Sequence, residues 1–289
     1  MNKNAPVFSV VDSHRIGIAA NLSPLVLFRS IFLNRYLIAQ LAMREVTARY
    51  RGTQLGMFWS VINPLLLLAV YTFVFCGIFK AKWSTDGPQS YFSFALILFA
   101  GLTAFNLFGE IVNRAPTLVL SCPNYVKKVV FPLEILPVIS LVTALSTFFA
   151  SFFVLIAGQI ILQGIPSWTI LLFPFTLLPL LLLALALGWF LSSLGVFIRD
   201  IGQSIAFVLQ VLIFITPVFY PISSIHGSLR SVLIYNPLTI AVEDFRQVVL
   251  FGQIPDYKVL LVATAMSLVL CQLGYAFFMT TKKGFADVI

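Results

Sequence analysis

Long apolar blocks separated by shorter polar stretches dominate the chain. A helix rises 1.5 Å per residue, so about 20 apolar residues cross a hydrocarbon layer. Six blocks are long enough, and they cover residues 58–79, 91–112, 134–162, 169–197, 204–221 and 258–280. The pattern predicts an all-α integral membrane protein with six transmembrane helices, divided into residues 1–57, a transmembrane domain at 58–280 and a short tail at 281–289.

A two-sided helix precedes the first block, over residues 28–50. Residues three and four positions apart share a helix face, and two apolar seams arise here in this way. The pattern predicts an N-terminal amphipathic interface helix, with one seam on lipid headgroups and the other on protein; a helix bound to lipid alone is the alternative. The first seam is Phe28, Phe32, Tyr36, Ala39, Met43, Val46 and Tyr50, and the second is Leu33, Leu37 and Leu41.

The stretch between the fifth and sixth blocks, residues 222–257, is only moderately apolar. Asn236-Pro237 divides it into two short helical patterns, neither long enough to span a bilayer. We expect short re-entrant or interfacial helices before the last span, and a solvated loop is the alternative.

Charged residues are scarce and unevenly placed. They make up 10% of the 289 residues, whereas a soluble domain has roughly 25%. Thirteen of the 18 Lys and Arg residues lie on one side of the predicted spans and five on the other, so topology rather than nucleic acid explains the net charge of +8. The positive-inside rule places both termini in the cytoplasm. The first 25 residues have no signal-peptide core, which agrees with that placement.

Sequence motifs for enzymatic chemistry are missing. The chain has no GxxxxGK(S/T) loop for ATP phosphates, no HExxH and no GxSxG. Its three Cys and two His residues are far apart, which predicts neither a disulfide framework nor a metal site. We expect no cofactor and no enzymatic activity in this chain.

Polar and aromatic residues recur at helical spacing in three of the predicted spans. Amides inside a membrane often hydrogen-bond between packed helices, and that is the alternative for each one. Three such stripes together favour a passage for sugars, because rings stack on pyranoses and amides bond hydroxyl groups. A small-residue ridge in the fourth span (Ala184, Gly188, Ser192, Gly195) predicts close packing instead. The stripes are Trp59, Asn63, Leu66, Val70, Phe73 and Gly77 in the first span, Thr103, Asn106, Glu110 and Asn113 in the second, and Gln203, Phe207, Gln210, Phe214 and Pro217 in the fifth.

Five motifs follow one another between about residues 44 and 255. They are "REVTARYRGTQLGMFWSVINPLL" (44–66), "CPNYVKKVVFPLEILP" (122–137), "FIRDIGQ" (197–203), "TPVFYP" (216–221) and "YNPLTIAVEDFRQVVL" (235–250). In this order they resemble the membrane subunits of ABC polysaccharide exporters, the permeases that move lipid-linked O-antigen, capsule or teichoic acid polymers across a bacterial inner membrane. One departure is Leu133, where the family pattern would have a basic residue.

The resemblance implies that two copies of this chain form a channel and that two copies of a separate ATPase subunit bind it. The leading hypothesis is an inner-membrane permease that exports a lipid-diphosphate-linked polysaccharide, with O-antigen first. Capsular polysaccharide or teichoic acid, a small hydrophobic compound, or an ion-coupled carrier without any ATPase are the alternatives. The implied channel wall is Trp59, Asn63, Phe73, Phe207, Gln210, Phe214 and Tyr220, the implied lipid-phosphate contacts are Arg49 and Arg51, and the implied ATPase contacts are Lys127 and Lys128.

Overall fold

The structure is a computed structural model that describes residues 24–79, 83, 91–127, 131–225, 227, 230 and 233–289. These residues form helices and contain no strand, so the all-α prediction is confirmed for them. The α-helices discussed below are α1 (Pro24–Leu33), α2 (Arg35–Tyr50), α3 (Trp59–Tyr71), α4 (Tyr91–Arg114), α5 (Pro123–Lys127), α6 (Leu136–Gln163), α7 (Phe173–Phe197), α8 (Ile201–Ile215), α9 (Pro237–Arg246), α10 (Tyr257–Thr281) and α11 (Phe285–Val288).

Five helical segments of the described chain are long and apolar enough to cross a membrane. They are Gly56–Phe75, Ser93–Thr117, Leu133–Gln163, Trp168–Phe197 and Tyr257–Val288. They correspond to the first four predicted spans and the last one. Several include a short flanking 3-10 helix, such as Leu133–Ile135 before α6 and Trp168–Leu172 before α7. A multi-pass membrane protein is therefore confirmed.

The fifth predicted span, 204–221, is shorter in the structure than in the sequence pattern. Helix α8 has 15 residues and a length of about 22 Å, which is below the roughly 30 Å of a hydrocarbon layer. It begins earlier, at Ile201, and ends at Ile215, because Thr216 is extended ahead of Pro217. The count of six spans is therefore not confirmed.

Helix α4 is the centre of the bundle. In the apolar stretch of this span, 83% of the residues are buried, compared with 6% in the first span. Helices α3, α6, α7, α8 and α9 all pack against it. A change in the position of α4 therefore affects each of these five helices.

The helix before the first span is two-sided, as predicted, and breaks at Asn34 into α1 and α2. The first seam faces outward: Phe28, Phe32, Tyr36 and Met43 are exposed by 55 to 77%. The opposite side packs on protein through the buried Ile38 and Ala42, with the second seam's Leu37 and Leu41 partly buried beside them and Leu33 exposed. After α2, Gly52 and Gly56 adopt φ angles of 87° and 52°, which favour glycine and turn the chain into α3.

The predicted ridge of small residues on α7 is confirmed as a packing surface. All four residues are buried. A Cβ at Gly195 would collide with the backbone carbonyl of Pro116, and a Cβ at Gly188 would lie 3.3 Å from the Cβ of Pro137. On the facing helix α10, a Cβ at Gly274 would collide with the carbonyl of Ala186. The α7 backbone thus approaches its neighbours as closely as glycine permits.

We call the end of the bundle that carries α2 the α2 end. The last residues of α4 and the first of α6 lie there, because Arg49 of α2 contacts both. Helix α9 lies at the opposite end with the start of α4. It begins with an Asn236 side chain that accepts from the Leu238 N–H at 3.0 Å, and most of its residues are buried. For residues 237–246, this burial excludes the solvated loop that the sequence left open.

Arg246 holds the opposite end together, although it is fully buried. Its guanidinium donates to the carbonyls of Ile97 (3.0 Å), Pro217 (2.6 Å) and Val218 (2.5 Å). A fourth bond, 3.3 Å long, reaches Glu243. One side chain therefore joins α9 to the start of α4 and to the segment that follows α8.

We predict that Gly195→Ala destabilises the protein by about 1–3 kcal/mol, because the added methyl group must displace a backbone carbonyl. Gly202→Ala is the matched control, since its Cβ would meet Pro116 at an ordinary 4.0 Å. Thermal melting of the purified protein in detergent measures both. Equal melting temperatures for the two variants would contradict the predicted collision.

We predict a larger loss for Arg246→Met, about 3–5 kcal/mol, because the change leaves several buried acceptors without a donor. Arg246→Lys keeps the charge but supplies one ammonium group instead of a fork, so its loss should be intermediate. The same melting experiment ranks the three proteins. A native-like melting temperature for Arg246→Met would show that these bonds contribute little.

Candidate functional site

Two helices, α3 and α8, lie against the bundle without being buried in it. Pro64 is the one buried residue of α3, and α8 has none. Both helices pack against the central α4. Their outward faces therefore need lipid or another protein chain to cover them.

The aromatic residues predicted for the channel wall lie on these outward faces or next to them. Phe207 and Phe214 of α8 expose 66 and 67% of their surface, Phe73 in the π-helical extension of α3 exposes 68%, and Trp59 of α3 is half-buried. Phe214 stacks on Phe219 at a centroid distance of 5.4 Å. The structure thus brings large rings to the surface of both helices.

The ends of α3 and α8 meet through aromatic residues that the sequence analysis did not select. Phe219, after α8, stacks on Phe75, in the extension of α3, at 6.5 Å. The predicted wall residue Tyr220 is half-buried, and its hydroxyl donates to the carbonyls of Phe214 and Ile215 at 2.9 Å each. Tyr220 therefore closes the end of α8 by satisfying carbonyls that the helix leaves free.

One predicted alignment was wrong in detail. Pro217 is buried, and its carbonyl accepts from Arg246, so it does not continue the outward face of α8. In the first span, the segment Thr72–Ile78 is a π-helix, whose residues turn through a smaller angle than those of an α-helix. Phe73 and Gly77 are nevertheless exposed, as Leu66 and Val70 are.

Five amides of the predicted stripes are exposed and have no hydrogen bond to any residue that the structure describes. They are Asn63 on α3, Asn106 and Asn113 on α4, and Gln203 and Gln210 on α8. Thr103 differs, since it is buried and donates to the carbonyl of Phe99 at 2.8 Å. Packing between helices of one chain therefore does not satisfy these amides.

At the α2 end, three helices meet in two layers of polar contacts. In the Glu45 layer, the Glu45 carboxylate of α2 accepts from Arg114 of α4 at 2.9 Å and from Thr143 of α6 at 3.2 Å. In the Arg49 layer, Arg49 of α2 donates to Glu110 of α4 and to Thr147 of α6, the latter at 2.7 Å. On each of the three helices, the residue in one layer lies four positions from the residue in the other layer. The two layers are therefore about 6 Å apart along each helix axis.

The phosphate contacts predicted from the sequence, Arg49 and Arg51, have different surroundings. Burial disfavours the charge of Arg49, but the hydrogen bond and charge of Glu110 outweigh it, so the pKa of Arg49 is raised above its ordinary value. Arg49 stays charged and is already neutralised by a carboxylate. Arg51 is exposed and forms no ion pair with any described residue, which leaves its charge free.

The predicted ATPase contact lies at the same end. Lys127 is exposed at the end of α5, whereas Lys128 lies outside the described residues. After α5, Glu134 accepts from Lys282 at 2.7 Å and from Ser30 of α1 at 3.4 Å. Its carbonyl accepts from the indole of Trp189 at 2.8 Å. The segment that follows α5 is therefore tied to α1, α7 and the residues after α10.

Sequence reasoning missed four charged residues with important contacts: Glu45, Arg114, Glu134 and Arg246. Their partners lie 69, 148 or 149 positions away along the chain, so no local pattern reveals them. The one available signal was Glu110, which the polar stripe of the second span had included. Among the described residues, no group of three His, Cys, Asp or Glu side chains is arranged to hold a metal ion.

Two apolar cavities lie elsewhere, on the seam between α7 and α10. Their volumes are about 550 and 310 Å³. Leu172, Phe175 and Tyr257 line the first, and Phe190 and Phe277 line the second. Neither cavity contains a predicted wall residue, so neither is the passage that the sequence predicts.

Comparison with known proteins agrees with this geometry. Residues 36–250 match the family model for the ABC-2 type transporter membrane protein. The O-antigen export system permease protein RfbA of Myxococcus xanthus is 30% identical over 266 residues, which are 91% of this chain and 99% of that protein. The RfbA protein of Klebsiella pneumoniae is 23% identical over 88% of this chain and 95% of its own. The polysialic acid transport protein KpsM of Escherichia coli is 24% identical over 85% of this chain and 93% of its own. The chain is therefore a permease that belongs to the ABC-2 type transporter family.

Proposed function

We propose that this permease exports a lipid-linked polysaccharide, with O-antigen as the first candidate. The observation that carries the proposal is the pair of unburied helices, α3 and α8, with exposed rings and with exposed amides that have no partner among the described residues. An amide in hydrocarbon costs several kcal/mol when unsatisfied, so lipid is a poor partner for these faces. Hydroxyl groups of a sugar, together with water, satisfy the amides, and sugar rings stack on the aromatic rings.

A second copy of the chain completes the passage in this proposal. Neither of the two apolar cavities found among the described residues is lined by α3 or α8, and both helices carry their polar positions on the outside. A homodimer that brings the two outward faces together creates a passage with rings and amides on each side. The wall is then Trp59, Asn63, Phe73, Phe207, Gln210 and Phe214, with Tyr220 at one end.

Energy for export comes from a partner ATPase, because the chain has no loop that binds ATP phosphates. We propose that two copies of the ATPase bind at the α2 end, where α5 exposes Lys127. In this proposal the protein lies in the bacterial inner membrane, and the distribution of Lys and Arg supports a cytoplasmic position for this end and for both termini. The interface helix α1–α2 then lies along the cytoplasmic surface, and Arg49 and Arg51 lie where a lipid diphosphate reaches the protein.

The relatives name two related cargoes. The RfbA proteins are named for O-antigen export, and KpsM for polysialic acid transport. The 30% identity to the Myxococcus xanthus RfbA, compared with 24% to KpsM, favours O-antigen, and capsular polysaccharide is the second candidate. A wall of rings and neutral amides suits either polymer, since it contacts sugars without depending on one particular charge.

We predict that a strain without this chain loses surface polysaccharide and that Gln210→Ala/Phe214→Ala restores at most about a tenth of it. The lost ring contact and amide hydrogen bond together cost about 1–3 kcal/mol in the passage. Phe153→Ala is the matched control, because Phe153 is 69% exposed but lies on α6. Antibody staining of intact cells measures export, and blotting measures protein amount.

Two outcomes of this experiment count against the proposal at different levels. Unchanged surface polysaccharide in the deletion strain, with none accumulating inside, would contradict polysaccharide export. Full export by the double variant, at normal protein amount, would show that Gln210 and Phe214 do not line the passage.

We predict that Lys127→Glu reduces copurification of the partner ATPase about tenfold, because it places a negative charge where the contact uses a positive one. Lys258→Glu is the control, since Lys258 is also exposed but lies at the start of α10, at the opposite end. Pull-down from solubilised membranes gives the ratio of ATPase to permease. An unchanged ratio for Lys127→Glu would remove α5 from the contact.

A further inference from the structure

The two polar layers at the α2 end are chemically mirrored. In the Glu45 layer, helix α2 supplies the anion and α4 supplies the cation. In the Arg49 layer, α2 supplies the cation and α4 supplies the anion. Helix α6 contributes one threonine hydroxyl to each, as a donor to Glu45 and as an acceptor from Arg49. The same two helices are thus joined by two ion pairs of opposite direction.

The carboxylates of the two layers are held unequally. Glu45 accepts from both Arg114 and Thr143, whereas Glu110 accepts from Arg49 alone among the described residues. Water reaches both pairs, since the Arg49 and Glu110 side chains expose 32% and 21% of their surface and the Arg114 and Glu45 side chains expose 34% each. Ion pairs in contact with water are weak. Glu110 has one donor where Glu45 has two, so it is the carboxylate that loses fewer hydrogen bonds when another anion replaces it.

Arg49 remains well placed for an anion after such a replacement. Its bond to Thr147 fixes the guanidinium independently of Glu110. A guanidinium donates to phosphate oxygens in the same way as to a carboxylate, often with two bonds at once. Arg51, two residues further on, adds an exposed positive charge that no described acid neutralises.

We propose that the Arg49 layer is the diphosphate-binding site of the permease and that Glu110 is a resident anion, which the diphosphate of the lipid-linked substrate displaces. This inference rests on the proposed function. A diphosphate carries more negative charge than one carboxylate, and Arg51 adds attraction that Glu110 does not use. Once Glu110 is displaced, α2 is held to α4 by the Glu45 layer alone. Substrate binding therefore loosens the connection between the interface helix and the central helix that supports α3 and α8.

The test uses the complete permease–ATPase complex in nanodiscs, with ATP hydrolysis as the readout. The probe is a long-chain polyprenyl diphosphate, and the matching polyprenol is the uncharged control. Glu110→Gln removes the competing charge and keeps the shape, so we expect half-maximal stimulation at about tenfold lower diphosphate concentration, with a higher basal rate. Glu45→Gln, the matched control from the other layer, should leave the half-maximal concentration within twofold of the native value.

A double variant separates anion exchange from simple loosening of α2. If Arg49 binds the diphosphate, Arg49→Gln/Glu110→Gln loses the gained sensitivity and most of the stimulation. A double variant as sensitive as Glu110→Gln overturns the inference, and so does an equal shift in Glu110→Gln and Glu45→Gln. If the native complex responds to the diphosphate and Glu110→Gln gives the same response, the inference is wrong but the proposed function is not contradicted. A native complex that ignores the diphosphate counts against both the inference and lipid-linked export.

Discussion

The position of α2 depends on two ion pairs that cross between it and α4 at the membrane boundary. Charges near hydrocarbon must be paired or hydrated, and here Glu45 and Arg49 of α2 each pair with an opposite charge on α4. Two pairs of opposite direction fix both the distance and the register of the helices, since a shift by one turn would place like charges together. Because α4 is also the helix on which α3 and α8 pack, the interface helix is connected to the predicted transport surface through one central element.

Arginine side chains have different partners at the two ends of the bundle. At the opposite end, Arg246 is fully buried and donates mainly to backbone carbonyls. A backbone carbonyl moves away only when its whole segment moves, so that arrangement is harder to exchange. At the α2 end, Arg49 is one-third exposed and bonds a side-chain carboxylate, which rotates away at little cost. The structure thus combines one fixed end with one whose contacts are exchangeable.

Sequence reasoning succeeded where a property is local. The long spans follow from composition over about 20 residues, and the ridge on α7 follows from residue size at helical spacing. It failed where distant segments decide the outcome. Helix α8 ends early because Thr216 is extended before Pro217. The Pro217 carbonyl then accepts a hydrogen bond from Arg246, which lies on another helix. The sequence analysis treats Arg49 as a free cation, because its partner Glu110 is 61 positions away. A count of charges in each loop does not show which residues of different segments form pairs.

The exposed amides make lipid a poor neighbour for the outward faces of α3 and α8. Exposed rings alone are compatible with lipid, because aromatic side chains tolerate hydrocarbon. Asn63, Gln203 and Gln210 are not, since each presents both a donor and an acceptor that hydrocarbon cannot satisfy. Helix α6 offers the contrast: its exposed Phe153, Ile160 and Ile161 are purely apolar and suit a lipid neighbour. Two kinds of exposed surface on one bundle therefore imply two kinds of neighbour, and the polar one requires either water and substrate or another copy of the chain.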